Sequence, residues 1–281
     1  MSETLSENRP APLLRISQRH LETLQTCPRQ FQHVFLDRLE PPISSQQQES
    51  MAVGSRFHLL MQQRSLGLPV ESLVDADPQI RQWWDEFLAA TPELLASQGG
   101  ELAFRQAEHE RTLEMLGFLL VVRYDFILAD DRAQIFDWKT YPRPRSPQNL
   151  ENHWQTRLYS YVLAETSDYE PDRISMTYWF VPGEDNCPQS YSFPYSQQQH
   201  DRNRADLTRL LSQLHHWLSD YSCDQVFPTQ QELTGVCTLC PSGNCRYLPQ
   251  GDTPPESLRK RDFSLEETDW SNLDRIPEIP I

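Results

Sequence analysis

Apolar positions recur at helical spacing through "LRISQRHLETLQTCPRQFQHVFLDRL", which predicts two consecutive helices near the start of the chain. Ser17 is placed to cap the first, and Cys27 followed by Pro28 opens the second with proline at its first position. Leu21, Leu24, Phe31 and Phe35 form the expected buried side. Residues 41–50, "PPISSQQQES", read as a polar loop, and "VGSRFHLLMQQR" after it reads as helix. Residues 78–96 continue as helix, with Trp83 and Trp84 as packing residues of the core.

The pattern then changes period. "LAFRQAEHERTLEM", "GFLLVVRYDFILAD" and "AQIFDWKT" are successive extended segments rich in branched and aromatic residues, and "ADDRA" at 129–133 makes a hairpin turn. Residues 151–165, "ENHWQTRLYSYVLAE", return to helical spacing. "RISMTYWFVPG" and "SYSFPYS" are two further strands, and residues 196–221 form a long helix. This order of helices, strand meander, helix, strands and helix predicts an α/β or α+β fold with a mixed central sheet. Residues 1–12 and 249–281 are polar, proline-bearing ends expected to be flexible, which leaves 13–248 as the working domain.

Composition narrows the class. No apolar run approaches the roughly 18 residues of a membrane helix, and the N-terminus has neither the basic start nor the apolar stretch of a signal peptide, so the expectation is a cytoplasmic protein without membrane association. In that compartment the six cysteines read as metal ligands or buried thiols rather than a disulfide framework. The formal net charge of −15 opposes a nucleic-acid partner, because phosphate binding relies on clustered Lys and Arg. A polyanionic substrate would need a local arginine patch and bound cations.

Chemistry enters with "IFDWKT". Lys139 is one of two lysines in a chain that otherwise uses arginine, and it stands two residues after Asp137. On a strand those two side chains share a face while Trp138 points away. Asp125, across the hairpin, is within reach as a facing or diagonal neighbour. Carboxylates held that close call for a cation, and hard oxygen donors suit Mg²⁺ or Mn²⁺. Water attacking a phosphodiester must lose a proton while charge builds on the phosphoryl oxygens; a titratable ammonium can assist with either, and arginine cannot deprotonate.

Asp125, then Asp137-Trp138-Lys139, then Gln155 and Tyr159 as Gln-x-x-x-Tyr, resemble the PD-(D/E)XK nuclease superfamily, specifically its RecB-like branch. "SQRHLETLQTCPRQFQHVFL" resembles that branch's opening segment, and "GSRFH" its Gly-x-x-x-His motif. The resemblance covers roughly residues 15–248 and implies a restriction-endonuclease-like core. It implies metal binding by His58, Asp125 and Asp137, with the Trp138 carbonyl completing the site, and catalysis by Asp125, Asp137 and Lys139. Gln155 and Tyr159 would orient the lysine or contact DNA. Glu108 and Glu110, on the preceding strand, are candidates for an additional ligand or a supporting partner. The chain departs from the pattern where many relatives carry a glycine shortly before the first aspartate; here the segment reads "LLVVRYD", which bears on how closely substrate approaches that strand.

"CTLCPSGNC" sets Cys237, Cys240 and Cys245 in a tight cluster, with Cys27 as the candidate fourth ligand; four thiolates suit zinc or an iron–sulfur cluster. A distant N-terminal cysteine with a C-terminal trio looks like the [4Fe–4S] site of AddB-type nucleases and CRISPR-associated exonucleases, with a slightly shorter last gap. Such a site would staple the two ends of the fold together. Cys187 and Cys223 read as ordinary thiols. Arg143 and Arg145, following Lys139, and Arg157 on the next helix are the candidate DNA-binding patch.

The resemblance thus implies a metal-dependent DNA exonuclease acting on single-stranded ends in DNA repair, recombination or foreign-DNA processing. A helicase partner on another chain is expected, since no phosphate-loop motif is present. The competing readings are a catalytically silent nuclease-like subunit that binds DNA or braces a complex, and a zinc-stabilised interaction domain.

Overall fold

The computed structural model describes residues 13–39, 42–91, 104–141, 146–181, 188–223 and 225–235. Six strands form one mixed sheet: β1 (Leu14–Ile16), β2 (Phe104–Met115), β3 (Phe118–Ala129), β4 (Ala133–Lys139), β5 (Ile174–Phe180) and β6 (Gln189–Pro194). The 2-residue turn Leu116-Gly117, both with positive φ, folds β2 against β3, and Asp130 closes the turn from β3 to β4 by accepting from the Arg132 amide. β4 pairs β5 in parallel, and the crossover between them is helical.

β3 is the organising strand. One edge pairs with β2 along nearly its whole length; the other is shared by β1 at residues 118–120 and β4 at residues 126–129. Among the described residues, Val121 to Asp125 has no strand partner on that shared edge, so β4 leaves β3 at Asp125 and a fork opens there.

Helices cover both faces. On one, α1 (Gln18–Thr26), α2 (Pro28–Phe31, continuing into a π-helical turn at Gln32–Leu36), α7 (Trp154–Glu165) and α8 (Gln197–Tyr221) pack over Leu120, Val122, Tyr124, Ile135, Met176 and Tyr178. On the other, α3 (Ser45–Ser65), α4 (Glu71–Asp75) and α5 (Pro78–Ala90) bury Phe57, Leu60, Trp83, Trp84 and Phe87 against Phe136 and Trp138. The short helices α6 (Pro147–Asn152) and α9 (Gln230–Thr234) and a 3-10 turn at Pro171–Arg173 complete the described elements.

The mixed sheet between helices, the expected buried residues Leu21, Leu24, Phe31 and Phe35, and the packing role of Trp83 and Trp84 all hold. Two expectations are corrected. Leu14–Ile16 is a strand rather than helix, because it finds β3 as a parallel partner. Residues 45–50 are helix rather than loop: Ser44 accepts from the Gln47 amide while Gln47 accepts from the Ser44 amide, a capping box that starts α3 a full two turns earlier. Of the segment expected as helix over 78–96, α5 ends at Ala90, and residues 92–96 lie outside the described residues, as do both chain ends.

Candidate nuclease site

The site forms where the β3–β4 fork opens. Along β4, Ala133 and Ile135 face the α7 side and Phe136 and Trp138 face the α3 side. Asp137 and Lys139 continue the row of Ala133 and Ile135, so an acid and an amine lie where the alternation would otherwise place apolar side chains. Both are nearly closed to solvent, at 5% and 6% side-chain exposure. They pair at 3.0 Å. Gln155, in the first turn of α7, bridges them: its amide donates to Asp137 Oδ1 at 2.7 Å and its carbonyl accepts from Lys139 Nζ at 2.9 Å. Tyr159, one turn on, interacts with Gln155 through its hydroxyl and packs edge-on against Tyr124, whose own hydroxyl donates to the Tyr159 carbonyl.

Asp125 sits at a break in the strand. Leu120, Val122 and Tyr124 face the α7 side, yet Ile127 and Ala129 face it too, so the alternation slips by one between them. The β2–β3 ladder omits its Glu108–Asp125 rung, and Glu108 has φ +50°, in the left-handed region that disfavours a residue with a Cβ. The β3–β4 ladder stops at Phe126–Phe136, and in place of a further rung the Trp138 amide donates to Asp125 Oδ2 at 2.7 Å.

His58 arrives from the opposite helical layer. Its Nε2 donates to the Trp138 carbonyl at 2.9 Å and its Nδ1 lies 3.4 Å from Asp125 Oδ1. The placement depends on Gly54, one turn earlier on α3: a Cβ there would meet Thr140 Oγ1 at 2.8 Å. The glycine lets α3 lie directly on the end of β4. His58, Glu108 and Asp125 then each offer a ligand atom within 4.8 Å of one another.

The electrostatics divide the site. Burial opposes charge on His58, but Asp125, Asp137 and Glu108 prevail and raise its pKa to about 9. Burial likewise works against ionised Asp125, and the His58 imidazolium, the Trp138 amide and Lys139 outweigh it, so its carboxyl is lowered. Burial raises Asp137, assisted by Asp125 and opposed by Lys139. Lys139 is raised despite burial because Asp137 faces it. Burial and Asp125 raise Glu108, against Arg123 and His58. The two carboxyls are thereby pushed in opposite directions, Asp125 down and Asp137 up.

Of the residues picked out in the sequence, His58 and Asp125 join one group, and Asp137, Lys139, Gln155 and Tyr159 the adjoining one. Glu108 joins the first; Glu110 pairs instead with Arg15 at 3.4 Å. Arg157 is turned inward, donating to Asn203 at 2.8 Å, pairing with Asp206 and stacking over Trp154 at 4.1 Å, so it links α7 to α8. Arg143, Arg145, Cys187, Cys237, Cys240 and Cys245 lie outside the described residues. Cys27 is buried, and Cys223 is exposed. Arg123, at the rim, was not picked out; its place two residues before Asp125 was the available signal.

The sequence model of the PD-(D/E)XK nuclease superfamily matches residues 15–245, most of the chain. This chain belongs to the PD-(D/E)XK nuclease superfamily. Membership implies a hydrolytic nuclease. Among solved structures, a Eubacterium rectale protein described as a candidate exonuclease superposes with a TM-score of 0.50 at 11% identity, covering 90% of this chain and 97% of its own; at that identity the likeness is one of fold. The solved protein SSO0001 aligns with a TM-score of 0.34 at 14% identity over 86% of this chain and 90% of its own. No curated protein matches the chain. The superfamily core corresponds to the sheet and its flanking helices, and no described helix is long and apolar enough to cross a membrane.

Proposed function

We propose that this nuclease-superfamily member is a divalent-cation-dependent deoxyribonuclease. The observation that carries the reading is the convergence of His58, Glu108 and Asp125 at the β3–β4 fork, beside the Asp137–Lys139 pair. One imidazole and two carboxylates suit Mn²⁺ or Mg²⁺, with open positions for water and a phosphate oxygen. An ion held there would polarise the phosphoryl group and make a water a better nucleophile. The Trp138 peptide fixes both halves, its amide orienting Asp125 and its carbonyl orienting His58. Lys139, fixed by Gln155, supplies a proton or positive charge to the developing phosphoryl anion. In this reading Asp137 anchors Lys139, and a turn of its carboxylate toward Asp125 would make it a further ligand.

The finer reading places the chain in the RecB-like branch, cutting from single-stranded DNA ends, with a helicase partner, a cytoplasmic setting and a domain spanning 13–248. A [4Fe–4S] cluster on Cys27, Cys237, Cys240 and Cys245 belongs to it, with zinc as the alternative occupant. Support comes from the anchoring of the segment that leads to the cysteine trio: Arg29 donates through its amide to the Pro228 carbonyl at 3.0 Å, and the Phe227 amide donates to Gln32 at 2.8 Å, directly beyond buried Cys27. Anaerobically purified protein should absorb in the visible and contain iron and acid-labile sulfide; a colourless zinc protein would discard the cluster.

The deciding experiment is cleavage of labelled single- and double-stranded DNA with Mg²⁺ or Mn²⁺ by wild type, Asp125→Ala and Lys139→Ala. Loss of ~10²–10⁴-fold is expected for Lys139→Ala, the proton-handling group, and loss of cation-dependent cleavage for Asp125→Ala. Equal cleavage by all three would discard the assignment. Absence of cleavage with retained DNA binding would favour the binding-subunit reading.

A further inference from the structure

Among the described residues, the cation-binding group itself offers no lysine or arginine of its own to grip a phosphate. Lys139 is buried and committed to Asp137 and Gln155, and Arg157 is committed to Asp206 and Asn203. A chain of net charge −15 needs local positive charge to bring a phosphodiester to the fork. Arg123 stands there. It lies two residues before Asp125 on β3, its side chain is 44% exposed, and its Nε pairs with Glu108 Oε2 at 3.3 Å.

The pairing is diagonal. Arg123 sits directly opposite Glu110 in the ladder, but Glu110 is bonded to Arg15, and Arg123 reaches instead to Glu108, the residue held at positive φ beside the skipped rung. A guanidinium is thereby bonded to a member of the cation-binding group while keeping a face open to solvent. The consequence is electrostatic. When a dication engages Glu108, the carboxylate is shared and Arg123 finds itself beside a new positive centre; like charges so placed repel unless an anion lies between them. A phosphodiester oxygen is that anion, and a planar guanidinium matches its two-point geometry as lysine does not.

Resting on the deoxyribonuclease reading, we propose that Arg123 is the phosphate-contacting residue of the site, held by Glu108 before the cation binds and transferred to the scissile phosphate, or the phosphate next to it, once the cation and DNA are in place. No bond is made or broken in this transfer; one ion pair replaces another.

The test uses full-length wild type, Arg123→Gln and Arg123→Lys. Mn²⁺ binding is measured by calorimetry, and affinity for a fluorescein-labelled oligothymidylate by anisotropy with Ca²⁺ in place of Mn²⁺, across a salt series; KM and kcat follow with Mn²⁺. Arg123→Gln should bind Mn²⁺ as well as or better than wild type, weaken DNA binding and raise KM on the order of tenfold or more, and reduce the salt slope by about 1. Arg123→Lys should recover the salt slope and only part of the affinity. Unchanged DNA affinity and salt slope in Arg123→Gln, with Mn²⁺ still bound, would overturn the proposal and leave the cation site standing. Lost Mn²⁺ binding in Arg123→Gln would overturn it, leaving Arg123 only the role of positioning Glu108 for the cation. Absent Mn²⁺ binding in wild type would instead remove the reading on which it rests.

Discussion

At the scale of single residues, the buried Asp137–Lys139 pair decides most of the behaviour. Each charge is tolerated because the other is present and because Gln155 satisfies both. Removing one partner strands the other, whereas replacing both by neutral groups of similar shape does not. Lys139→Met alone should therefore lower stability by about 3 kcal/mol, and Asp137→Asn combined with Lys139→Met should recover most of that loss in denaturant titration while remaining inactive. Recovery of activity in the double variant would show that the pair is structural only. His20 supplies a second test. Burial, reinforced by Arg19, lowers its pKa to about 3 from 6.5, and its Nδ1 accepts from the Ser17 amide at 3.1 Å to close the start of α1. Below about pH 6.5 the unfolded chain takes up a proton that the folded chain refuses until about pH 3. The stability that depends on neutral His20 is thus complete above pH 6.5 and is lost as pH falls through that interval. Thermal unfolding of His20→Asn should show a flatter decline between about pH 7 and pH 4 than wild type; an identical slope would refute the assignment. The shared face of Asp137 and Lys139 was legible from strand periodicity. The position of Asp125 was legible only in part, because the alternation slips beside it.

At the scale of elements, the approach of α3 to the end of β4 sets the geometry. Gly54 and His58 are one turn apart, and the first makes the close contact that the second exploits. Gly54→Ala should push against Thr140 and shift the imidazole, lowering activity by on the order of tenfold to a hundredfold, as small misplacements of positioned groups do. Thr140→Ala in the same chain removes the opposing Oγ1 and should restore much of the activity in the cleavage assay; failure to restore it would place the defect elsewhere. The Gly-x-x-x-His motif was visible in the sequence, but the contact that explains its glycine lies 86 positions away. The early start of α3 was also written locally, in the Ser44–Gln47 capping box, and was obscured by the polarity of the run that follows. β1 had no such local sign: three residues become a strand only because β3 offers an edge.

At the scale of the whole molecule, the site joins two separate cores. The α3–α5 layer brings His58 to one side of the sheet and the α7 layer brings Gln155 to the other, with β3 and β4 between. A cation bound across this join stabilises the folded chain alone, so its effect follows mass action, about 2.7 kcal/mol when its concentration is a hundred times its dissociation constant. Thermal unfolding should move upward with added Mn²⁺ in wild type and not in Asp125→Asn. A shift of equal size in both would assign the effect to another site. The excess negative charge implies the companion result that added salt relieves repulsion across the surface, while in the proposed deoxyribonuclease it would weaken contact with DNA.

The sequence by itself determined the periods of the elements, the mixed sheet, the facing of Asp137 with Lys139 and the candidacy of His58, Gln155 and Tyr159. The periods and the Asp137–Lys139 facing follow from residue spacing and the mixed sheet from element order, whereas His58, Gln155 and Tyr159 became candidates through their resemblance to the family's motifs. Only the tertiary structure decided that one edge of β3 takes β1 at one end and β4 at the other, that Glu108 rather than Glu110 turns toward Asp125, and that Arg157 is engaged by α8 while Arg123 faces the fork. Those outcomes depend on which distant backbones compete for the same edge and which charges are already paired when another arrives, and neither is a property of local spacing.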